Sequence, residues 1–91
     1  MSKEKSNIIT LTVGGIELSF EPTLVAYNKL LNESARAADL VGAVTTYLKR
    51  IVTPDSRQAL EPFLVKAGAP AKLAEKINEI YSPDLDIEIK E

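Results

Sequence analysis

The stretch Ile9–Phe20, ITLTVGGIELSF, constrains this chain more than any other. Ile9, Leu11 and Val13 alternate with Thr10 and Thr12, and Ile16, Leu18 and Phe20 alternate with Glu17 and Ser19. Period-two alternation is the mark of strands with one buried and one wet face. Gly14-Gly15 lies between the two runs. A two-residue hairpin turn needs positive φ, which glycine adopts without a Cβ clash. Such a turn pairs Val13 with Ile16, Leu11 with Leu18 and Ile9 with Phe20, so all six apolar side chains fall on one face. Slippage by one residue would turn one strand's apolar set to water, which pins the register. A phosphate-binding loop would require more glycines, a following helix and usually a lysine, none of which is present.

The remaining chain reads as helices packed on this hairpin, with one late strand. Strands are expected at about 8–13 and 16–20, after a flexible tail at 1–7. Pro22 suits a turn or a first helical position and Thr23 an N-cap, so a first helix is predicted from Thr23 to Asn32. Its apolar stripe is Leu24, Tyr27, Leu30 and Leu31, with Val25 at the edge. Asn32–Ala38, NESARAA, reads as a polar, small-residue connection.

Leu40, Val41, Val44, Tyr47, Leu48, Ile51 and Val52 recur at helical spacing and predict a second helix over 40–52. Asp39 is placed to cap it, Lys49 and Arg50 suit its C-terminal dipole, and Gly42 costs it about 1 kcal/mol relative to alanine. Thr53-Pro54-Asp55-Ser56 is a cap–proline–acid helix start. The third helix is expected over 54–67, with Leu60, Phe63, Leu64 and Ala67 on one face. Pro62 should kink or shorten it, and Gly68 should end it. Pro70 opens a fourth helix to about Tyr81 carrying Leu73, Ile77 and Ile80. Ser82-Pro83 stops it. Leu85, Ile87 and Ile89 then alternate with Asp84, Asp86, Glu88 and Lys90, as in a final strand pairing with an edge of the hairpin. A third strand would support a hairpin that is marginal alone. The order is β-β-α-α-α-α-β: an α+β fold in one domain, residues 1–91.

Composition limits the chemistry. The chain has 91 residues and no cysteine or histidine. Disulfides, thiolate nucleophiles and zinc sites built on Cys or His are excluded, and so is the commonest neutral-pH general base. No nucleophile–base pattern is present, and no enzymatic activity or cofactor is expected. A net charge of −2 gives no electrostatic case for nucleic acid or an anionic membrane. The N-terminus MSKEKSN lacks an apolar signal segment, and the apolar runs are too short to span a bilayer, so a soluble protein is expected.

Three constellations merit weighing. Asp84, Asp86 and Glu88 form a carboxylate cluster, but at strand alternation rather than in a glycine-containing calcium loop, so a solvated strand face is the better account. The junction of helices 40–52 and 54–67 is spaced like a helix–turn–helix. Its second helix opens with Asp55, Ser56, Arg57 and Gln58 and then turns acidic, a poor DNA reader. Tyr27, Tyr47 and Tyr81 lie in apolar stripes and suit core or rim packing, or else a partner surface.

Ile8–Glu33, IITLTVGGIELSFEPTLVAYNKLLNE, together with Tyr81–Ile89, YSPDLDIEI, resembles a family of phage tail assembly chaperones of phages and prophages. The similarity spans the chain, is most specific in its first third and in the SPDL-containing tail, and in residues 34–70 is mainly one of pattern. It implies a non-enzymatic protein that binds the tape-measure protein of the tail, keeps it soluble and assists assembly of tail-tube subunits. It further implies action in the host bacterial cytoplasm, absence from the mature virion, and in some members a longer frameshifted form. It assigns no binding residues. Self-association is compatible with it. Two other roles compete: a structural tail component, and a small DNA-binding regulator using helices 40–52 and 54–67. For a chaperone, an apolar groove is expected between the third and fourth helices, within residues 60–81, with Pro62 and Gly68 as its joints.

Overall fold

The computed structural model describes residues 8–36, 39–82 and 89–90. Strands β1 (Ile9–Val13) and β2 (Ile16–Phe20) form an antiparallel hairpin. Its register is the expected one: Ile9 opposite Phe20, Leu11 opposite Leu18, Val13 opposite Ile16. Gly14 and Gly15 take φ of 59° and 82°. Positive φ at both central residues defines a type I′ turn, whose twist matches that of the strands.

Helices α1 (Leu24–Arg36), α2 (Leu40–Ile51), α3 (Arg57–Leu64) and α4 (Ala69–Tyr81) follow, with a single 3₁₀ turn at Pro54–Ser56 before α3. Helix α1 packs on α2, α2 on α4, and α3 on both α4 and β2. Leu18, Phe20, Tyr47, Leu48, Leu60 and Ile77 are fully buried where these elements meet. Pro22 is also sealed in, between β2 and α1.

Several boundaries differ from expectation. Helix α1 continues through Asn32–Arg36, the stretch expected to be a connection. The helix-compatible Glu33, Ala35 and Arg36 carry it on, and Glu33 anchors this turn to α2 through Arg50 at 3.4 Å. Its buried residues are Ala26 and Leu30, while Leu24 and Leu31 are exposed. A small alanine allows close approach to α2, and that contact, not the sum of apolar residues, selects the inner face. Helix α3 ends at Leu64, leaving Ala67 outside it. Pro62 removes a hydrogen bond inside an already short helix. Gly68, with φ 78°, directly precedes α4 instead of ending α3. Its carbonyl accepts from the Lys72 amide at 3.2 Å, the first bond of the new helix.

The caps of α1 and α2 are as expected. Thr23 Oγ1 accepts from the Ala26 amide at 3.1 Å, and Asp39 Oδ1 from the Gly42 amide at 2.9 Å. Thr53 makes no such bond: its hydroxyl is buried and has no partner among the described residues. The expected final strand, with the carboxylates of Asp84, Asp86 and Glu88, lies outside the described residues apart from Ile89 and Lys90.

Candidate functional site

The hairpin has two unlike edges, and the sequence explains the difference. Val52 lies opposite Phe20 as an isolated bridge, so the α2–α3 junction runs along β2 like a short third strand. The Ser19 amide donates to Ser56 Oγ at 2.9 Å, and the Ser19 carbonyl accepts from the Thr53 amide at 3.0 Å. The Glu21 amide donates to the Ile51 carbonyl at 2.7 Å. Ser56, predicted only as part of a helix start, is the one buried polar residue among those described and closes the β2 edge. Of the residues weighed above for DNA reading, Ser56 is engaged in the sheet edge, and Arg50, a cation beside that junction, pairs with Glu33.

The β1 edge is different. In a hairpin closed by Val13 and Ile16, alternate residues direct their backbone groups away from the partner strand. Ser19 does so towards Ser56 and Thr53, so Thr10, opposite Ser19, and Thr12 point outward on the other side. No hydrogen bond to the outward N–H or C=O of Thr10 or Thr12 is made among the described residues.

Beside this edge is a groove of about 360 Å³, floored by Leu11, Val13, Ala69 and Leu73 and rimmed by Thr12, Lys72 and Lys76. Ala69, Leu73 and Lys76 share one face of α4 by helical spacing. A second, smaller concavity of about 120 Å³ lies where Leu40, Val41 and Val44 of α2 meet Gly68, Pro70 and Ala71. These two concave surfaces flank α4 towards β1 and towards α2, and α3 lines neither of them. Phe63 and Leu64 turn instead against the core. The sequence carried a signal for the first groove in Lys72 and Lys76, four apart and straddling Leu73, but not for its second wall.

Beyond the grooves, apolar side chains stand in solvent along α1 and the start of α2. Leu24 is 64% exposed, Val25 69%, and Leu31, Leu40 and Val41 are each at least half exposed.

The three tyrosines belong to packing. Tyr47 is wholly buried and its hydroxyl donates to Asn78 Oδ1 at 3.0 Å, tying α2 to α4. Burial first, then the neighbouring Tyr81 and Tyr27 hydroxyls, push its pKa up to about 12. Tyr27 and Tyr81 meet edge to face with ring centres 5.8 Å apart. Among the described residues, no cluster of three or more carboxylates is arranged to hold a metal, and no helix is long and apolar enough to cross a membrane.

The profile of a family described as phage tail assembly chaperone matches residues 9–91. An uncharacterised 11.3 kDa protein from the lys 3′ region of Haemophilus phage HP1 (strain HP1c1) is 30% identical over 82 residues, covering 90% of this chain and 79% of that protein. No solved structure matches the chain. With the family profile running from the first strand to the last residue, the chain belongs to the phage tail assembly chaperone family.

Proposed function

We propose that this protein is a non-enzymatic chaperone that holds the tape-measure protein of a phage tail in soluble form while tail-tube subunits assemble around it. The family match over residues 9–91 carries this reading. The surface supports it: Leu24, Val25, Leu31, Leu40 and Val41 are exposed, and the β1–α4 groove is floored by apolar residues. Exposed apolar patches on small proteins mark interaction sites. Holding a client needs only such surface and a reversible contact. In this reading the protein acts in the host cytoplasm and leaves before the virion is complete.

Co-expression with the tape-measure protein of the same genome, followed by affinity capture and a solubility assay, tests the proposal. A soluble complex that is lost when this chain is omitted is the expected result. A tape measure equally insoluble with and without it would refute the proposal. Mass spectrometry of purified virions separates a chaperone, absent from the particle, from a structural tail component.

A further inference from the structure

Helix α1 is half used by the fold. Its inner side, with Ala26 and Leu30, is buried against the core, and its outer side is exposed along the length of the helix. On that outer side two features repeat at seven residues: Leu24 and Leu31, and beside them Lys29 and Arg36. From this juxtaposition we infer that the outer face of α1 is a docking seam for one amphipathic helix whose apolar stripe is flanked by carboxylates, supplied by the client.

Spacing selects a helix as the occupant. Leu24, Asn28, Leu31 and Ala35 fall at i, i+4, i+7 and i+11, one continuous row, and all four are exposed. A seven-residue apolar repeat keeps its seam facing a second helix, with leucines entering the holes between that helix's side chains. The small Ala35 allows close approach at one end, and a polar residue such as Asn28 within the row sets the register. Tyr27 borders the row on one flank, its ring braced edge to face by Tyr81. The chain's own acidic stretch, Asp84, Asp86 and Glu88, does not match this seam: it alternates by twos and so carries no seven-residue repeat.

Charge selects the flank. Lys29 and Arg36 are exposed, and the one carboxylate of α1, Glu33, takes Arg50 on both oxygens, at 3.5 and 3.4 Å. Neither Lys29 nor Arg36 makes an ion pair among the described residues. A helix with glutamates beside its apolar stripe would meet both cations. A second copy would not: its α1 brings no uncommitted carboxylate, and antiparallel docking sets the cationic flank of one copy against that of the other. Two cations also fall short of the clusters of about four to eight that hold a helix on an anionic membrane.

That the docked helix belongs to the client rests on the chaperone reading above; the seam itself does not. The full chain is titrated with a capped helical peptide of about two heptads, leucine on its seam and glutamate on its flanks, and with its counterpart carrying lysine for glutamate. Affinity is read by fluorescence anisotropy and the contact surface from backbone amide shifts. The expected result is that the glutamate peptide binds about tenfold or more tighter than the lysine peptide and shifts amides within α1. Lys29→Glu/Arg36→Glu should reverse that preference, a gain that a misfolded variant cannot show. Leu24→Ser/Leu31→Ser, at exposed positions, should keep the circular dichroism of wild type and weaken binding by about tenfold or more. Equal binding of the two peptides, amide shifts confined to other elements, or an unchanged preference in the charge-reversed variant would overturn the inference. So would a dimer of the free protein that Leu24→Ser/Leu31→Ser dissolves, or vesicles of phosphatidylcholine and phosphatidylglycerol that bind α1 more tightly than the glutamate peptide does.

Capture of the tape-measure protein separates the two readings. If wild type and the charge-reversed variant hold it equally, the α1 seam is not the client's dock and the chaperone reading stands. If wild type fails to hold it while the glutamate peptide docks on α1, the chaperone reading fails and the seam stands.

Discussion

Tyr47 shows how one residue can join packing to acid–base chemistry. Its ring fills the space between α2 and α4, and its hydroxyl satisfies Asn78. In the unfolded chain it ionises near 10.0; in the folded protein near 12. Between those values the unfolded state releases a proton that the folded state retains. The stabilisation is therefore complete below about pH 10 and declines as pH rises through 10 to 12. Denaturant titrations from pH 8 to 11.5 should show this decline, and Tyr47→Phe should flatten it. The variant should also lose about 1 kcal/mol at neutral pH, because Asn78 Oδ1 loses its donor. Gly42 makes the same point for the backbone. A Cβ there would collide with the Asp39 carboxylate that caps α2. Gly42→Ala should thus gain about 1 kcal/mol of helix propensity and lose a comparable cap, for a net effect near zero or destabilising. Thermal melts of Gly42→Ala, Asp39→Ala and the double variant would reveal that coupling as non-additivity.

At the scale of elements, the α2–α3 junction does more than connect two helices. It closes β2 by placing Thr53 and Ser56 against Ser19. Ser56→Ala leaves the part-buried Ser19 amide without its acceptor and should cost about 1–3 kcal/mol, read from urea unfolding. Cutting the Arg50–Glu33 pair between α1 and α2 should cost less than about 1 kcal/mol, because both side chains remain a third or more exposed. The bonds of Ser19 to Thr53 and Ser56 tie the hairpin to the α2–α3 junction, whereas the ion pair links only α1 to α2.

For the whole molecule, the core is small and shared by every element. Leu48 and Ile77 are each fully buried between α2, α4 and the sheet. Either residue changed to alanine should cost about 2–5 kcal/mol, a large share of the stability of a domain this size. Circular dichroism melts should show a single transition shifted well downward, with the helices and the hairpin lost together.

How much of this was legible in advance follows the range of the forces involved. The hairpin, its two-residue glycine turn and its register could be read from alternation and two glycines, because each depends on neighbours within a few residues. The caps at Thr23 and Asp39 were legible for the same reason. The end of α1 was not, since its last turn is held to α2 by Arg50. Nor was its buried face, which the approach of α2 assigns to Ala26 and Leu30 over the larger Leu24 and Leu31. The candidate site was the least legible part. Lys72, Leu73 and Lys76 are recognisable as one helical face, but nothing local says that Leu11 and Val13 form the opposite wall. Local sequence determined the elements and the family; only tertiary packing decided that the α2–α3 junction lies along β2 and that α4 faces Leu11 and Val13, because those placements depend on contacts between residues far apart in the chain.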